Sequence, residues 1–215
     1  MADRVDGLRE ALKAAVLDER EVAADPVTQF RAWYSDAEAA GVDQPEAMVL
    51  ATAGADGRPS ARMVLLRGFD ERGFVFYTNH ESAKARALAE NPYAAIVFHW
   101  REISRQVRAT GAVTAVTRAD AARYFASRPR GAQLGAWSSP QSTVLAGPAE
   151  LAERVAATEA RFEGSEPPLP EFWGGFVVAI ETLELWQARD SRLHDRIRYR
   201  RATDADGWVI ERLAP

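Results

Sequence analysis

Apolar and polar positions near the N-terminus alternate with the period of an α-helix. The apolar positions at this spacing are Leu8, Leu12, Ala15 and Val16. We expect residues 1–24 to form a helical arm or lid. Asp25 then precedes Pro26, and a capping carboxylate in front of a proline predicts a second helix that runs to Gly41.

After residue 46 the pattern changes to the alternation of β-strands, and eight apolar or β-branched segments predict strands. The predicted strands are 47–53, 60–68, 73–79, 93–101, 105–116, 175–187, 190–201 and 207–213. The first three are separated by short stretches rich in Gly and Asp, which are typical of tight turns. These three strands are therefore expected to form an antiparallel meander.

Three further helices are predicted between the strands. A short helix follows Ser82 and ends near Asn91, and the Thr-x-x-Asp pattern at Thr117 predicts a helix that ends at Arg128. Residues 130–147 are rich in Gly, Ser and Pro and predict a loop. The helix after this loop is expected to bury a stripe formed by Leu151, Val155, Thr158 and Phe162.

The order of these elements predicts the fold class. Because the helices do not alternate one for one with the strands, we expect a mainly β protein, an antiparallel barrel with peripheral helices, rather than a βαβ sheet. Neither GxGxxG nor GxxxxGK[ST] follows a predicted strand, which argues against Rossmann and P-loop sites. Residues 25–215 are expected to form a single domain.

Composition excludes several classes of chemistry. The 215-residue chain has no cysteine, which excludes disulfides, thiolate metal sites and cysteine nucleophiles. Its three histidines are scattered, so we expect no metal site. The net charge of −4 argues against non-specific nucleic-acid binding, and no apolar run is long enough to cross a membrane. Because the N-terminus lacks the apolar region of a signal peptide, we expect a cytoplasmic protein.

The segment 183–196 holds the most informative polar residues. In a regular strand Arg192, His194, Arg196 and Arg198 would point to one face. A row of like charges is unfavourable without an anionic partner, so this face could bind a phosphate, a carboxylate or an electron-rich ring. A solvated strand face with interspersed carboxylates explains the pattern equally well, and the periodicity does not decide between the two.

Three other groups could bind anions. Tyr124 and Arg128 are four apart on a predicted helix and offer several donors, although surface pairs of this kind are common. Lys84, one of two lysines among 27 basic residues, lies at a predicted helix start, where free N–H groups favour anions. Arg62 and Arg67 face opposite sides of a regular strand, so one site includes both only through a bulge, a strand end or a subunit interface.

Several blocks of the sequence resemble the pyridoxamine 5′-phosphate oxidase family. The most specific is Leu-Glu-Leu-Trp-Gln at 183–187, followed after four residues by Arg-Leu-His-Asp-Arg at 192–196. Further blocks are 62–67, 76–79, 105–107, 124–130, 135–137, 141–142, 172–176 and 212–215. The resemblance extends from about residue 24 to the C-terminus. It implies an FMN-binding split barrel that forms a homodimer with two FMN sites at the subunit interface.

The resemblance also implies roles for individual residues. Those implied to hold FMN are Arg62, Met63, Val64, Leu65, Leu66, Arg67, Tyr77, Thr78, Lys84, Gln106, Gln141, Ser142, Trp186 and Arg196. Gln141 and Ser142 are expected to come from the partner subunit. Those implied to bind the substrate phosphate are Arg67, Tyr124 and Arg128, and those implied to cover the pyridine ring as catalytic residues are Arg192 and His194.

The reaction implied by the resemblance is the oxidation of pyridoxamine or pyridoxine 5′-phosphate to pyridoxal 5′-phosphate. A hydride passes to FMN and O2 is the final acceptor, which releases hydrogen peroxide. Four positions depart from the family pattern: Arg67 replaces a common lysine, Ala83 a basic residue, Ala132 a serine of the substrate phosphate site, and Leu12 a tyrosine of an N-terminal lid. These departures bear on affinity and substrate preference more than on the fold.

Two other functions remain open at this point. One is an FMN oxidase of the phenazine-biosynthesis type, which shares the closing motif. The other is a non-catalytic split barrel that binds flavin or pyridoxal phosphate as a carrier or sensor. The blocks 124–130 and 135–137 favour the oxidase of vitamin B6 phosphates, and the weakened phosphate contacts at Ala83 and Ala132 support a carrier.

Overall fold

The computed structural model describes residues 2–202 and 207–215, in which helices surround an antiparallel sheet. The helices are α1 Ala2–Ala14, α2 Pro26–Ala39, α3 Ala83–Glu90, α4 Arg118–Ser127, α5 Arg130–Ser138 and α6 Pro148–Arg161. The strands are β1 Ala47–Ala53, β2 Pro59–Leu65, β3 Gly68–Asp70, β4 Gly73–Asn79, β5 Tyr93–Trp100, β6 Arg105–Ala115, β7 Trp173–Val178, β8 Thr182–Gln187, β9 Asp195–Arg201 and β10 Trp208–Arg212. Short 3₁₀ turns occupy Arg101–Ile103 and Asp190–Arg192.

One long strand joins the two halves of the barrel. The path β10-β9-β8-β6-β5-β1-β2 is antiparallel, while β4 pairs with β3 and β7. The first part of β6 pairs with β8 and its last residues pair with β7. Gly111 lies where these two ladders part, and a Cβ there would lie 1.9 Å from the carbonyl oxygen of Ala179. The missing side chain permits this close approach. This topology confirms the predicted antiparallel barrel with peripheral helices.

An aromatic cluster fills the barrel beneath α2. Phe30 of α2 is fully buried, and its ring centroid lies 4.8, 4.7 and 5.1 Å from those of Phe69, Phe74 and Phe98. The first two contacts are edge to face, a favoured geometry for aromatic pairs. Asp25 accepts a hydrogen bond from the backbone N–H two residues on, at 3.2 Å. The predicted cap and start of this helix are therefore confirmed.

The structure divides two of the predicted strands. Segment 60–68 separates into β2 and β3, and segment 175–187 separates into β7 and β8 around residues 179–181. The predicted meander holds for the pairs β1–β2 and β3–β4, but β4 continues the sheet through β7 instead of β2. Periodicity does not reveal these breaks, because apolar residues continue through them.

Two predictions about the region 130–162 are wrong. Helix α5 occupies the start of the expected loop, where the side-chain amide of Gln133 donates to the carbonyl oxygen of Phe125 at 3.0 Å. Tertiary contacts of this kind outweigh a composition that is typical of loops. Helix α6 buries none of its residues within this chain, and Leu151 is 38% exposed. Of the expected buried stripe, only Phe162, which follows the helix, is buried.

The row of basic residues predicted on one strand face does not form. β9 begins only after His194, and Arg192 lies in the preceding turn with a φ of +62°. Arg196 donates two hydrogen bonds to Glu184, and Arg198 pairs with a glutamate of β10. The reason is the turn, which breaks the alternation that the prediction assumed. Interspersed carboxylates therefore neutralise Arg196 and Arg198.

The N-terminal segment packs on the barrel. Leu8 and Leu12 contact the hydrophobic core, and the guanidinium of Arg9 donates to the carbonyl oxygens of Ala40 and Gly41 at 2.8 and 3.0 Å. A role of this segment as a lid stays a prediction. No helix in the described part of the chain combines the length and the apolar character needed to cross a membrane.

Candidate functional site

A cavity of about 830 Å³ opens between the strands β2 and β4 and the helices α3, α4 and α5. Its volume lies in the range typical of cofactor and ligand sites. Most of the residues that the resemblance singles out line it. These are Arg62, Met63, Val64, Leu65, Arg67, Tyr77, Thr78, Lys84, Tyr124, Arg128, Gln141 and Ser142.

Four basic side chains line this cavity, and no acidic residue of the described chain does. They are Arg62, Arg67, Lys84 and Arg128. None of the four forms an ion pair within the described residues. The buried Nη1 of Arg128 also has no hydrogen-bond partner there. Lys84 is buried, Arg62 and Arg128 are half-buried, and Arg67 is exposed. Because cations withdrawn from water without a counter-ion are costly, the arrangement fits an anionic ligand with phosphate groups.

Lys84 is held by neutral groups. Its Nζ donates hydrogen bonds to Thr78 Oγ1 at 3.0 Å, to Ser82 Oγ at 3.1 Å and to Gln141 Oε1 at 3.3 Å. Burial and, second, the nearby guanidinium of Arg62 lower the pKa of Lys84 to about 8. The charge of this ammonium therefore depends on pH near neutrality, and an anion bound beside it would restore the proton.

Gln141 and Ser142 reach the cavity from the same chain as Lys84. The Oγ of Ser142 accepts a hydrogen bond from the backbone N–H of Ala83 at 3.1 Å, and Gln141 contacts Lys84 and Thr78. The expectation that a partner subunit supplies these two residues is wrong for this cavity. The reason is α5, which occupies the predicted loop and brings the residues that follow it to the start of α3.

Three aromatic rings form one wall of the cavity. Tyr77 stacks on Tyr124 with centroids 4.0 Å apart and planes at 18°, and Trp173 lies nearly parallel to Tyr77 at 5.5 Å. The guanidinium carbon of Arg128 lies 4.8 Å from the Trp173 ring centroid. A Cβ on Gly175 would lie 2.6 Å from Tyr77 Cδ1, so a glycine is needed beside this ring. These contacts hold Tyr124 and Arg128, the pair predicted to bind a phosphate, on one side of the cavity.

Arg62 and Arg67 both line the cavity because β2 ends between them at Leu65. This is the strand-end arrangement that permits two residues five apart to share a site. The guanidinium of Arg62 donates to Thr52 Oγ1 at 2.8 Å, and burial lowers its pKa. Leu66, by contrast, packs into the hydrophobic core and is 5% exposed, so its side chain does not line the cavity.

The remaining predicted residues form a second group. Gln106, Trp186 and Arg196 are neighbours across β6, β8 and β9, and the ring of His194 lies 4.6 Å from that of Trp186. Arg192 is exposed in the turn before β9. None of these five lines the cavity within this chain. The structure therefore brings the predicted residues together as two groups.

Asn79 and Trp173 also line the cavity, and no role was predicted for either. They are cross-strand partners in the β4–β7 ladder. Each lies in a sequence block already noted, 76–79 or 172–176, so pairing of these blocks is the signal that indicates them. Within the described residues, no group of three or more His, Asp or Glu side chains could hold a metal ion.

Family models match most of the chain. A model described as pyridoxamine 5′-phosphate oxidase matches residues 34–162, and one described as the pyridoxine 5′-phosphate oxidase C-terminal dimerisation region matches residues 173–215. The chain is 50% identical over 209 residues to a protein of Salinibacter ruber and 53% identical over 209 residues to one of Burkholderia multivorans. Both are named pyridoxine/pyridoxamine 5′-phosphate oxidase, and each alignment covers 97% of both chains.

Solved structures share the fold. PhzG from Burkholderia lata, in complex with tetrahydrophenazine-1-carboxylic acid, has a TM-score of 0.88 and 29% identity, covering 94% of this chain and 100% of that one. A pyridoxamine 5′-phosphate oxidase-related, FMN binding protein from Nostoc punctiforme has a TM-score of 0.70 at 19% identity, covering 89% and 98%. The chain therefore belongs to the pyridoxamine 5′-phosphate oxidase family and is an oxidoreductase with its split-barrel fold.

Proposed function

We propose that this chain is an FMN-dependent oxidase of pyridoxamine 5′-phosphate and pyridoxine 5′-phosphate. Pyridoxine phosphate and O2 would give pyridoxal 5′-phosphate and hydrogen peroxide. Pyridoxamine phosphate, O2 and water would give the same products and ammonia. When bound, FMN supplies the hydride acceptor for the substrate C4′ carbon and the route of the electrons to O2.

The cavity, which four cations and no carboxylate of the described residues line, is the observation that carries this proposal. The basic residues fall into two pairs of neighbours. Burial and then Arg62 lower the pKa of Lys84. Burial lowers the pKa of Arg128, Tyr124 opposes this shift, and Arg67 adds to it. FMN and the substrate each bring one phosphate group and one flat ring. Two pairs of cations beside an aromatic wall suit two such ligands.

The two pairs have separate roles in this proposal. Arg62 of β2 and Lys84 at the start of α3 would bind the FMN phosphate, with Thr78, Gln141 and Ser142 as neutral hydrogen-bonding neighbours. Arg67, Tyr124 and Arg128 would bind the substrate phosphate. Holding the substrate ring against the flavin in reactive geometry is the main contribution of the protein, and such positioning can lower a barrier by several kcal/mol.

A homodimer would unite the two groups of predicted residues. Gln106, Trp186, Arg192, His194 and Arg196 lie away from the cavity of their own chain, and the C-terminal segment that carries four of them matches a dimerisation region. We therefore propose that these five residues of a second copy complete each cavity. Gln106, Trp186 and Arg196 would contact FMN, and Arg192 and His194 would cover the substrate ring.

A spectroscopic and kinetic experiment tests this proposal. The purified protein is titrated with FMN, and peroxide release is measured with each B6 phosphate. Arg192→Ala should lower kcat about 100-fold with little change in the Kd for FMN, since the residue positions substrate and not cofactor. Arg58→Ala is the matched control, because Arg58 lies in the loop between β1 and β2 and its side chain is 89% exposed. Equal kinetics for the two variants would contradict the assigned role.

A second candidate function is oxidation of a phenazine precursor, which the likeness to PhzG favours. The four unpaired cations argue for phosphorylated ligands, whereas the ligand named for PhzG carries a carboxylate. Peroxide release with tetrahydrophenazine-1-carboxylic acid and none with the B6 phosphates would support this candidate. FMN binding with no turnover of either substrate would support a carrier or sensor.

A further inference from the structure

Arg189 joins the N-terminal segment to the turn that holds His194. Its guanidinium donates hydrogen bonds to the carbonyl oxygens of Lys13 at 3.2 Å and Ala14 at 3.3 Å, and to that of Ala15. These carbonyl groups at the end of α1 have no partners further along the helix and carry the negative end of its dipole. Arg189 therefore caps α1 from the opposite end of the chain.

Asp195 completes this connection. Its Oδ2 accepts hydrogen bonds from Arg189 Nε at 2.6 Å and from the backbone N–H of Leu17 at 3.4 Å, and its Oδ1 accepts one from Arg212 at 3.0 Å. Burial would raise the pKa of Asp195, but these three hydrogen bonds outweigh it and lower the pKa below its ordinary value. The ionised carboxylate thus binds both the N-terminal segment and Arg189.

The backbone of Arg189 contacts His194 directly. Its N–H donates a hydrogen bond to Nδ1 of His194 at 3.1 Å. Because a ring nitrogen that accepts a hydrogen bond carries no proton, the neutral imidazole holds its proton on Nε2. Arg189 therefore contacts α1 through its side chain and orients His194 through its backbone.

The turn between these contacts has an unfavourable backbone. Ser191 and Arg192 have φ angles of +55° and +62°, in the left-handed region that residues with a Cβ rarely adopt. Such a turn keeps its conformation only when the surrounding structure holds it. Arg189 and Asp195 flank the turn, and their side chains bond to each other and to the N-terminal segment.

We propose that Arg189 is a positioning residue for His194. By tying the end of α1 to the turn at 190–194, its side chain keeps the turn in one conformation and the His194 proton on Nε2. The inference rests on the proposed function, in which His194 faces the substrate ring and needs a fixed orientation. It gives the N-terminal segment a part in orienting the site, whether or not this segment closes over it.

Nitrogen-15 NMR of the imidazoles tests this inference, because the chain has only three histidines. Full-length protein labelled at histidine is measured at pH 9, where an ordinary imidazole is neutral. The wild type should show His194 with its proton on Nε2. Arg189→Met removes the guanidinium and keeps the backbone N–H, and should give a mixture of both tautomers at His194. His80 and His99 should be unchanged.

Arg20→Met is the matched control, since Arg20 lies in the same N-terminal segment, its side chain is 84% exposed, and among the described residues that side chain pairs only with Asp18. Its His194 spectrum should equal that of the wild type. Arg189→Lys keeps one charged donor, so its mixture of His194 tautomers should lie between those of the wild type and Arg189→Met. This result separates loss of the hydrogen bonds to α1 from unfolding. A single His194 tautomer in Arg189→Met would overturn the inference. The same mixture of tautomers in Arg20→Met as in Arg189→Met would overturn it as well.

The NMR spectra require neither flavin nor turnover. A failure of the proposed oxidase activity would therefore change the peroxide assay and leave the His194 spectra unchanged. In the active enzyme, Arg189→Met should lower kcat about tenfold, because a displaced ring group weakens positioning, while the Kd for FMN changes less than about twofold. A purely structural role would instead lower the folded fraction and weaken FMN binding in proportion to activity.

Discussion

Lys84 and Gln141, 57 residues apart in the chain, meet at the cavity with Nζ 3.3 Å from Oε1. The other partners of this ammonium are hydroxyl groups, so no carboxylate of the described residues pairs with it. Burial and the neighbouring guanidinium of Arg62 bring its pKa down to about 8. Lys84 therefore loses its proton more readily than an ordinary lysine until an anion binds beside it.

FMN affinity should depend on pH through Lys84. A phosphate monoester gains its second charge near pH 6, and the free protein loses the Lys84 proton as pH rises through about 8. Binding should therefore be strongest between these values and weaken by up to about tenfold for each pH unit above 8. Fluorescence titration of FMN from pH 6 to 9.5 measures this.

Lys84→Met is the control for this dependence. The variant should bind FMN more weakly at pH 7, and its Kd should be nearly flat between pH 8 and 9.5, since the titrating group is gone. A wild-type Kd that is equally flat would show that Lys84 keeps its proton in the free protein, and would contradict the pKa given above.

Ala132→Ser should improve binding of the phosphorylated substrate. Ala132 lines the cavity together with Tyr124 and Arg128, and a hydroxyl group there would add one hydrogen bond to the substrate phosphate. One such bond lowers KM for pyridoxamine phosphate about three- to tenfold, with kcat and FMN affinity unchanged. Ala136→Ser, at another alanine that lines the cavity, is the control and should have little effect. A fall in KM for both variants, or for neither, would argue against this site.

Local signals predicted some elements because their causes lie within a few residues. The helix after Asp25 and the one after Thr117 begin as predicted, since each capping side chain accepts a hydrogen bond from a nearby backbone N–H. The composition of residues 130–147 does not predict α5, because contacts such as that of Gln133 to the preceding helix stabilise it. The alternation of residues does not predict the turn at Ser191 and Arg192, because a positive φ at residues other than glycine has no simple pattern in sequence.

The candidate site was predicted as a set of residues but not as an arrangement. The resemblance named Lys84, Gln141 and Trp186 alike, whereas the structure places the first two in one cavity and the third on a distant strand pair. Which of them line one cavity within a chain depends on how β6 passes between its two ladders and on the path of α5. Both are tertiary features that spacing along the sequence does not determine.

Gly111→Ala should strongly destabilise the barrel. A Cβ at Gly111 would lie 1.9 Å from the backbone oxygen of Ala179, and only a shift of the β6–β7 crossing could relieve this contact. We expect a loss of about 2–4 kcal/mol in the free energy of unfolding, as for other overpacked sites. Urea denaturation measures it. In contrast, Gly131→Ala adds a methyl group in open space on α5 and should be neutral or stabilise by about 0.5 kcal/mol.

Arg105 should contribute more to stability than the surface arginines. Its side chain is 6% exposed and donates to Asp36 at 2.7 Å and to Gln187 at 2.8 Å, with the guanidinium 4.3 Å from the Trp33 ring centroid. Arg105→Met would leave the buried amide of Gln187 and the carboxylate without their donor. We expect a loss of about 2–4 kcal/mol in the free energy of unfolding.

The control for Arg105 is Arg123→Met, which removes an ion pair to Asp120 from a side chain that is 77% exposed. Exposed pairs contribute about 0–1 kcal/mol, so its urea midpoint should stay close to that of the wild type. Equal midpoints for the two variants would show that water reaches Gln187 and Asp36 once the guanidinium is removed. The pairing of α2 with the β6–β8 ladder would then depend on the apolar contacts of Trp33 and not on the ion pair.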